Sequence, residues 1–165
     1  MRNKTISVRE IDRIDRKILR ILQREARVPM TELAERVGLS VTPCGERVRR
    51  LEQEGVIEGY AARLNPQRLG FNLLVFVELR LSAKSGPIFE QFRREVTKLP
   101  NVLECHLVSG DFDYLVKVRI PEMAAYRQVL GDMLLKLPAA VESRSYIVME
   151  EIKESLALDL NDPDD

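Results

Sequence analysis

The chain has 165 residues, enough for one domain or two small ones; 45% are apolar and 32% charged, the balance of a globular protein with a core. No run approaches the ~20 apolar residues of a membrane span, and the polar start, Met1 to Glu10, lacks the apolar centre of a signal peptide. A cytoplasmic protein without membrane contact is therefore expected. Net charge is zero, but residues 1–63 carry 14 Lys/Arg against 10 Asp/Glu (+4) and the remainder 12 against 16 (−4), so the front is the part expected to approach phosphate.

Residues 1–10 read as a flexible basic arm. From Ile11 the pattern turns helical: Ile11, Ile14, Ile18, Ile21 and Leu22 line one face, and Asp12 or Asp15 favours a helix start there. Arg13, Arg16, Lys17, Arg20 and Arg24 occupy much of the rest, mostly as a solvated face. Pro29 punctuates the break that follows. Thr31 to Glu54 then reads as two helices about a tight turn. Leu33, Ala34 and Val37 form the apolar face of the first, with Thr31 as its N-cap. Gly38 supplies the permissive backbone of the turn, and Leu39 plugs it. Ser40 caps the second helix, and Pro43 falls in its first turn, where a missing N–H costs little. Cys44, Val48 and Leu51 face inward at i, i+4, i+7 spacing. Thr42, Glu46, Arg49, Arg50 and Gln53 point the other way. This is the layout of a helix-turn-helix whose second helix enters a DNA major groove, though any amphipathic helical hairpin shares it. Gly55 ends the helix. Val56, Ile57, Tyr60, Ala62 and Leu64 predict a short hairpin around Glu58-Gly59, a wing, which completes a DNA-binding domain over 11–64.

Asn65-Pro66 to Gly70 carries loop chemistry, and 65–71 is read as a linker. Beyond it Leu73, Val75, Val77, Leu79 and Leu81 alternate along a strand. Pro87 to Leu99 reads as a helix, Val102 to Val108 and Tyr114 to Ile120 as strands, and Met123 to Leu137 as a helix. Val141 to Lys153 holds a last strand centred on Tyr146 to Met149. The order is β-α-β-β-α-β, so the fold class is α+β: a winged helix-turn-helix followed by a ferredoxin-like module over 72–155. Two helices cover one sheet face. Yet Leu74, Phe76, Leu103, Leu107 and Leu115 suggest apolar residues on both faces, and an open apolar face predicts sheet-to-sheet dimerisation. Residues 156–165 read as an acidic, disordered tail. Cys44 and Cys105 make no disulfide framework. Cys105 and His106, adjacent in a strand, point to opposite faces and cannot share a metal or form a catalytic pair. With no Gly-rich phosphate loop and no Gly-x-Ser-x-Gly, no cofactor, metal or enzymatic activity is expected.

Four stretches carry a resemblance: Ile11 to Arg16; Thr42-Pro43-Cys44 with Glu46 to Glu52; Glu104 to Leu115; and Tyr146 to Glu151. Together they are similar to the Lrp/AsnC family of bacterial transcriptional regulators, over nearly everything except the first ten residues and the tail. The resemblance implies an N-terminal winged helix-turn-helix and a C-terminal effector-sensing module. It implies dimers assembling into octamers or larger forms, and small effectors, usually amino acids, bound between modules of neighbouring dimers. It places Gly110, Asp111, Asp113 and Tyr114 near the effector, and Leu107, Met123, Tyr146, Ile147 and Val148 at positions that alter the response. Gly45 departs from the larger side chain common at its recognition-helix position, so the operator cannot be copied from a relative.

The expected protein is thus a sequence-specific regulator that binds double-stranded DNA and responds to a small effector, an amino acid such as leucine or alanine, in control of amino-acid metabolism. Ser40, Val41, Thr42, Gly45, Glu46, Arg49 and Arg50 would face the groove, and Arg47 and the basic first helix the phosphates. The alternative is an architectural protein that wraps DNA with little effector control. An enzyme, or the regulatory subunit of one, is a third reading that leaves the helix-turn-helix unexplained.

Overall fold

A computed structural model describes residues 11–161, the side chains at 140 and 141 apart; the basic arm at 1–10 and the last four residues lie outside the described part. The chain divides into two compact units, 1–63 with 154–165, and 64–153. Among the described residues no helix is long and apolar enough to cross a membrane.

The first unit holds α1 (Arg13–Leu22), α2 (Met30–Val37) and α3 (Val41–Gln53). Asp12 is the N-cap of α1 and closes a capping box with Asp15: the Asp15 N–H donates to Asp12 Oδ1 at 2.8 Å, and the Asp12 N–H donates back to Asp15 Oδ2 at 3.4 Å. Ile18, Leu33, Ala34, Val37, Cys44, Val48 and Leu51 form one buried cluster, with Ile14, Ile21, Leu22 and Leu39 packed against it. That is the inward set the helical spacing predicts. Gly38 ends α2 at φ 76°, a left-handed conformation that costs a residue with a Cβ more. Two local readings are corrected. Thr31 lies inside α2, whose N-cap is Pro29, because proline's fixed φ suits a helix entrance. The hairpin around Glu58-Gly59 does not form: residues 56–64 run without ladder hydrogen bonds. The N–H groups of Val56 and Ile57 instead donate to the Leu51 carbonyl at 2.9 and 3.1 Å, and Tyr60 Oη donates to Glu52 at 2.9 Å, so the segment is tied back to α3. Two strands this short hold too few cross-strand pairs to stand alone.

At the start of the segment read as a disordered tail, Leu158 is held, while 162–165 lie outside the described residues. Gln23 Nε2 donates to the Leu158 carbonyl at 2.9 Å, and the Leu158 N–H donates to Gln23 Oε1 at 3.0 Å. Arg63 donates to the Glu154 carbonyl at 3.4 Å. One amide side chain satisfies both backbone groups of Leu158, which an acidic composition alone does not reveal.

The second unit opens with a 3-10 turn, Gln67–Leu69, closed by Gly70 at φ 82°. It then runs β1 (Leu73–Leu81), α4 (Gly86–Val96), β2 (Val102–Leu107), β3 (Tyr114–Ile120), α5 (Met123–Lys136) and β4 (Ala140–Ile147). The sheet is antiparallel in the order β2-β3-β1-β4, the ferredoxin-like arrangement read from the element order. Val75, Val77, Leu79 and Leu81 of β1 and Tyr114, Val116, Val118 and Ile120 of β3 alternate into one core with Phe92, Val96, Tyr126, Met133 and Leu137. Phe92 stacks on Tyr114 with ring centroids 3.8 Å apart. β4 ends earlier than expected. It closes at Ile147, and the Val148 N–H adds one further bond, to the Leu74 carbonyl at 2.9 Å.

The opposite sheet face is not the apolar surface anticipated. Leu74, Phe76 and Leu115 occupy it, but beside Glu78, Arg80, Glu104, Lys117, Arg119 and Arg144. Lys117 pairs with Glu104 at 3.0 Å and Arg119 with Glu151 at 2.5 Å. Leu103 and Leu107 lie elsewhere, lining a cavity with Phe92 and Val96 of α4: Leu107 stands opposite Tyr114 on the core side, and Leu103 falls where the register slips between Val102 and Glu104.

Phe92 is fully buried and stacked, so Phe92→Ala should lower stability by ~3–5 kcal/mol, read as a shift of the calorimetric midpoint.

Candidate nucleic-acid interface and effector module

The apolar face of α3 is used up by the core, which leaves its opposite face open. Ser40, Val41, Thr42, Glu46 and Arg49 are exposed and Gly45 is half-buried. Val41, Thr42, Gly45, Glu46, Arg49 and Glu52 line a groove with Met30 of α2. A Cβ at Gly45 would meet nothing within 4 Å, so the glycine leaves a gap in the side-chain row and costs α3 a little helix stability. Ser40 sits at the N-cap position with extended backbone but makes no capping hydrogen bond with its side chain.

Arg47 and Arg50, expected at phosphate and in the groove, turn toward α1. Arg47 Nη1 donates to Asp12 Oδ2 at 2.6 Å and to Asp15 Oδ1 at 2.9 Å. Arg50 Nη2 donates to Asp15 Oδ2 at 2.5 Å. The Asp15 side chain is 1% exposed. Arg50 accepts this geometry although its Nε–H is buried with no hydrogen-bond partner among the described residues. Burial raises the Asp12 carboxyl, but hydrogen bonds from Arg47 and the Asp15 N–H outweigh it and hold the group below its ordinary value. The hydrogen bond to Asp12, and then that to Asp15, raises the Arg47 guanidinium. Helical spacing could not settle this, because Arg47 and Arg50 border the apolar stripe and their partners are over 30 positions away. The signal was there in part: two aspartates three apart at a helix start, one of them on the inward side.

In the second unit the residues matched to the effector region divide. Asp113 is structural: it is 6% exposed, accepts from the Leu81 N–H at 2.8 Å and pairs with Lys84 at 2.7 Å. Its own N–H donates to the Leu79 carbonyl at 2.9 Å, so the β2–β3 loop is stapled to the end of β1. Burial raises the Asp113 carboxyl; the Leu81 N–H and Lys84 outweigh that and hold it low. Tyr114 is consumed by the core. Gly110 turns the loop at φ 144°, a value favouring glycine. Asp111 and Phe112 line a cavity of about 150 Å³ with Glu78, Arg80, Glu142 and Arg144. Arg80 donates to the Asp111 carbonyl at 2.6 Å, and the cross-strand pairs Arg80–Glu142 and Arg144–Glu78 stand open at 3.6 and 4.0 Å. Tyr146 Oη donates to Glu78 at 3.0 Å, bringing it toward the same charges. Leu107, 58% exposed, lines a second cavity of about 370 Å³ with Leu103, Cys105, Phe92, Val96 and Tyr114. Burial pushes the Cys105 thiol up to about 11. Met123 and Ile147 are exposed and line neither cavity, and Val148 is half-buried. Glu78, Arg80, Glu142 and Arg144 went unremarked in the sequence because their convergence depends on the β1–β4 register. Cys105 and His106 do face opposite sides: Cys105 lies opposite Val116 of the core, and His106 beside Glu104.

A helix-turn-helix unit with an open recognition face, joined to an antiparallel α+β module with ligand-sized cavities, defines a one-component regulator: one unit for DNA and one for a ligand. The comparisons agree. Residues 11–58 match the winged helix-turn-helix DNA-binding model and residues 74–158 the Lrp/AsnC ligand binding domain. The leucine-responsive regulatory protein of Escherichia coli K12 is 56% identical over 147 residues, 89% of this chain and 90% of that one. An AsnC family transcriptional regulator from Agrobacterium tumefaciens superposes with a TM-score of 0.86 at 39% identity, covering 90% of this chain and 97% of that one. A Neisseria meningitidis transcriptional regulator in complex with L-Met gives 0.86 at 36% identity, covering 92% and 98%. The chain belongs to the Lrp/AsnC family of transcriptional regulators.

Asp12 and Asp113 both carry depressed carboxyls. Each therefore adds stability that is fully present above the unfolded value of about 3.9 and lost as pH falls through the folded-state value. Urea unfolding at steps from pH 5 to 2 should show stability falling across that window, and Asp113→Asn should flatten the fall.

Proposed function

We propose that the protein is a sequence-specific, cytoplasmic DNA-binding regulator without enzymatic activity. It acts as a homodimer, or an assembly of dimers, whose state or DNA affinity answers to a free amino acid. The observation that carries this is the open face of α3, where Thr42, Gly45, Glu46 and Arg49 stand clear of the core on a helix anchored by Cys44, Val48 and Leu51. Arg49 suits guanine O6 and N7, and Glu46 a cytosine N4 donor. Val41 offers an apolar contact to a thymine methyl. The amino-acid reading is supported by the match to a ligand-binding domain and by the L-Met complex of the Neisseria relative. Asp111 and the charges around it suit both ends of a zwitterion. The half-apolar open sheet face is the surface proposed for dimerisation.

Duplexes selected from a random pool by the purified protein should share a sequence. Arg49→Ala should weaken that binding by ~1–3 kcal/mol and relax preference at one base pair, read by fluorescence anisotropy. Unchanged affinity and preference would remove Arg49 from the groove.

Sedimentation velocity with leucine, alanine and methionine in turn should show a shift in assembly with at least one of them. If every common amino acid leaves both assembly and DNA affinity unchanged, and the footprint spans many helical turns, the architectural reading replaces this one.

A further inference from the structure

The recognition helix carries three arginines, yet only Arg49 is exposed; Arg47 and Arg50 are held by Asp12 and Asp15. We propose that Asp12 and Asp15 are specificity-determining residues: they form a carboxylate cage that withholds two of three recognition-helix arginines from phosphate, so that sequence reading is not swamped by unspecific attraction. This rests on the DNA-binding reading above and concerns how that binding discriminates.

Two guanidiniums and two carboxylates cancel. With that quartet closed, the groove-lining charges left on α3 are Arg49, Glu46 and Glu52, a face with no cationic excess. A duplex gains sequence-independent affinity from every arginine that reaches a phosphate and releases a counterion. That gain is the same at every site, so it raises operator and random DNA alike and adds nothing to their ratio. An acidic face instead repels the backbone, and is compensated only where a base edge presents a matching donor.

Geometry shows the arrangement to be built. Asp15 is buried and uses both oxygens, one for each arginine. Asp12 divides its oxygens between the N-cap bond and Arg47. The pair spans α1 and α3, so the same bonds that orient the recognition helix also set which of its charges meet DNA. Arg47 is the one with a partner near solvent: the Asp12 side chain is 48% exposed against 1% for Asp15. Weakening Asp12 should therefore release Arg47 first.

The experiment uses the full-length chain with Asp12→Asn. Asparagine is an equally good N-cap, so the helix start is kept while one of the two carboxylate charges facing Arg47, the solvent-exposed one, is lost. The probes are the duplex best enriched by the wild-type protein from a random pool and a scrambled duplex of the same composition. Affinity for the scrambled duplex at 50 mM salt should rise, the dependence on salt should steepen by about one phosphate contact (~3.5-fold more affinity lost between 50 and 200 mM), and the ratio of selected to scrambled affinity should fall. Arg47→Ala in the Asp12→Asn background should abolish the gain. Asp132→Asn, on α5, makes the same change in net charge and should give none. A cage that is only structural would lower both affinities together and leave the salt slope unmoved; that result, or a gain equalled by Asp132→Asn, overturns the proposal. A wild-type chain that binds no duplex would instead overturn the reading beneath it.

Discussion

A buried carboxylate between two arginines governs the DNA-binding unit. Taking a charge out of water is costly unless it is paired and hydrogen-bonded. Asp15 meets that condition, with both oxygens bonded to guanidiniums of α3 and one also near the Asp12 N–H. Non-directional packing of Ile18, Leu33, Val48 and Leu51 brings the helices together. The ionic bonds have direction, and so they specify how α3 is rotated against α1. The exposed row Thr42, Glu46 and Arg49 follows from that rotation.

In the ligand-binding module the corresponding role falls to the end of β1. Leu79 and Leu81 are buried side chains, while their backbone groups hold Asp113. Glu78 and Arg80, the alternate residues, point to the other face and carry the charges of the small cavity. One strand thus anchors the core on one side and presents polar groups on the other, as its period of two requires. A ligand at Asp111 would act on a loop tied to β1 by the Asp113 N–H bond to the Leu79 carbonyl, by the Leu81 N–H bond to the Asp113 carboxylate, and by an ion pair with Lys84.

The ligand-binding module is inserted within the chain of the DNA-binding unit, which the chain leaves after residue 63 and rejoins at 154. The returning segment is held by Gln23 of the α1–α2 connection and by Arg63.

Most of the fold was legible in the sequence because it rests on periodicity. Cys44, Val48 and Leu51 at helical spacing, and Val75, Val77 and Leu79 at strand spacing, identify their buried faces without any partner being known. Gly38 marks its turn by chirality, and the element order β-α-β-β-α-β leaves few ways to close a sheet. The exposed face of α3 followed from the same arithmetic. Pairing between distant segments was not legible. The bonds of Arg47 and Arg50 to Asp12 and Asp15, of Asp113 to Leu81, and of Leu158 to Gln23 each join residues more than 30 positions apart. The register of β4 on β1 assembled a charged cavity from residues 78, 80, 142 and 144. Hydrophobic burial repeats locally along a chain, so sequence determines which residues turn inward. Hydrogen bonds and ion pairs depend on which directional groups meet across space, and only the tertiary structure decides that.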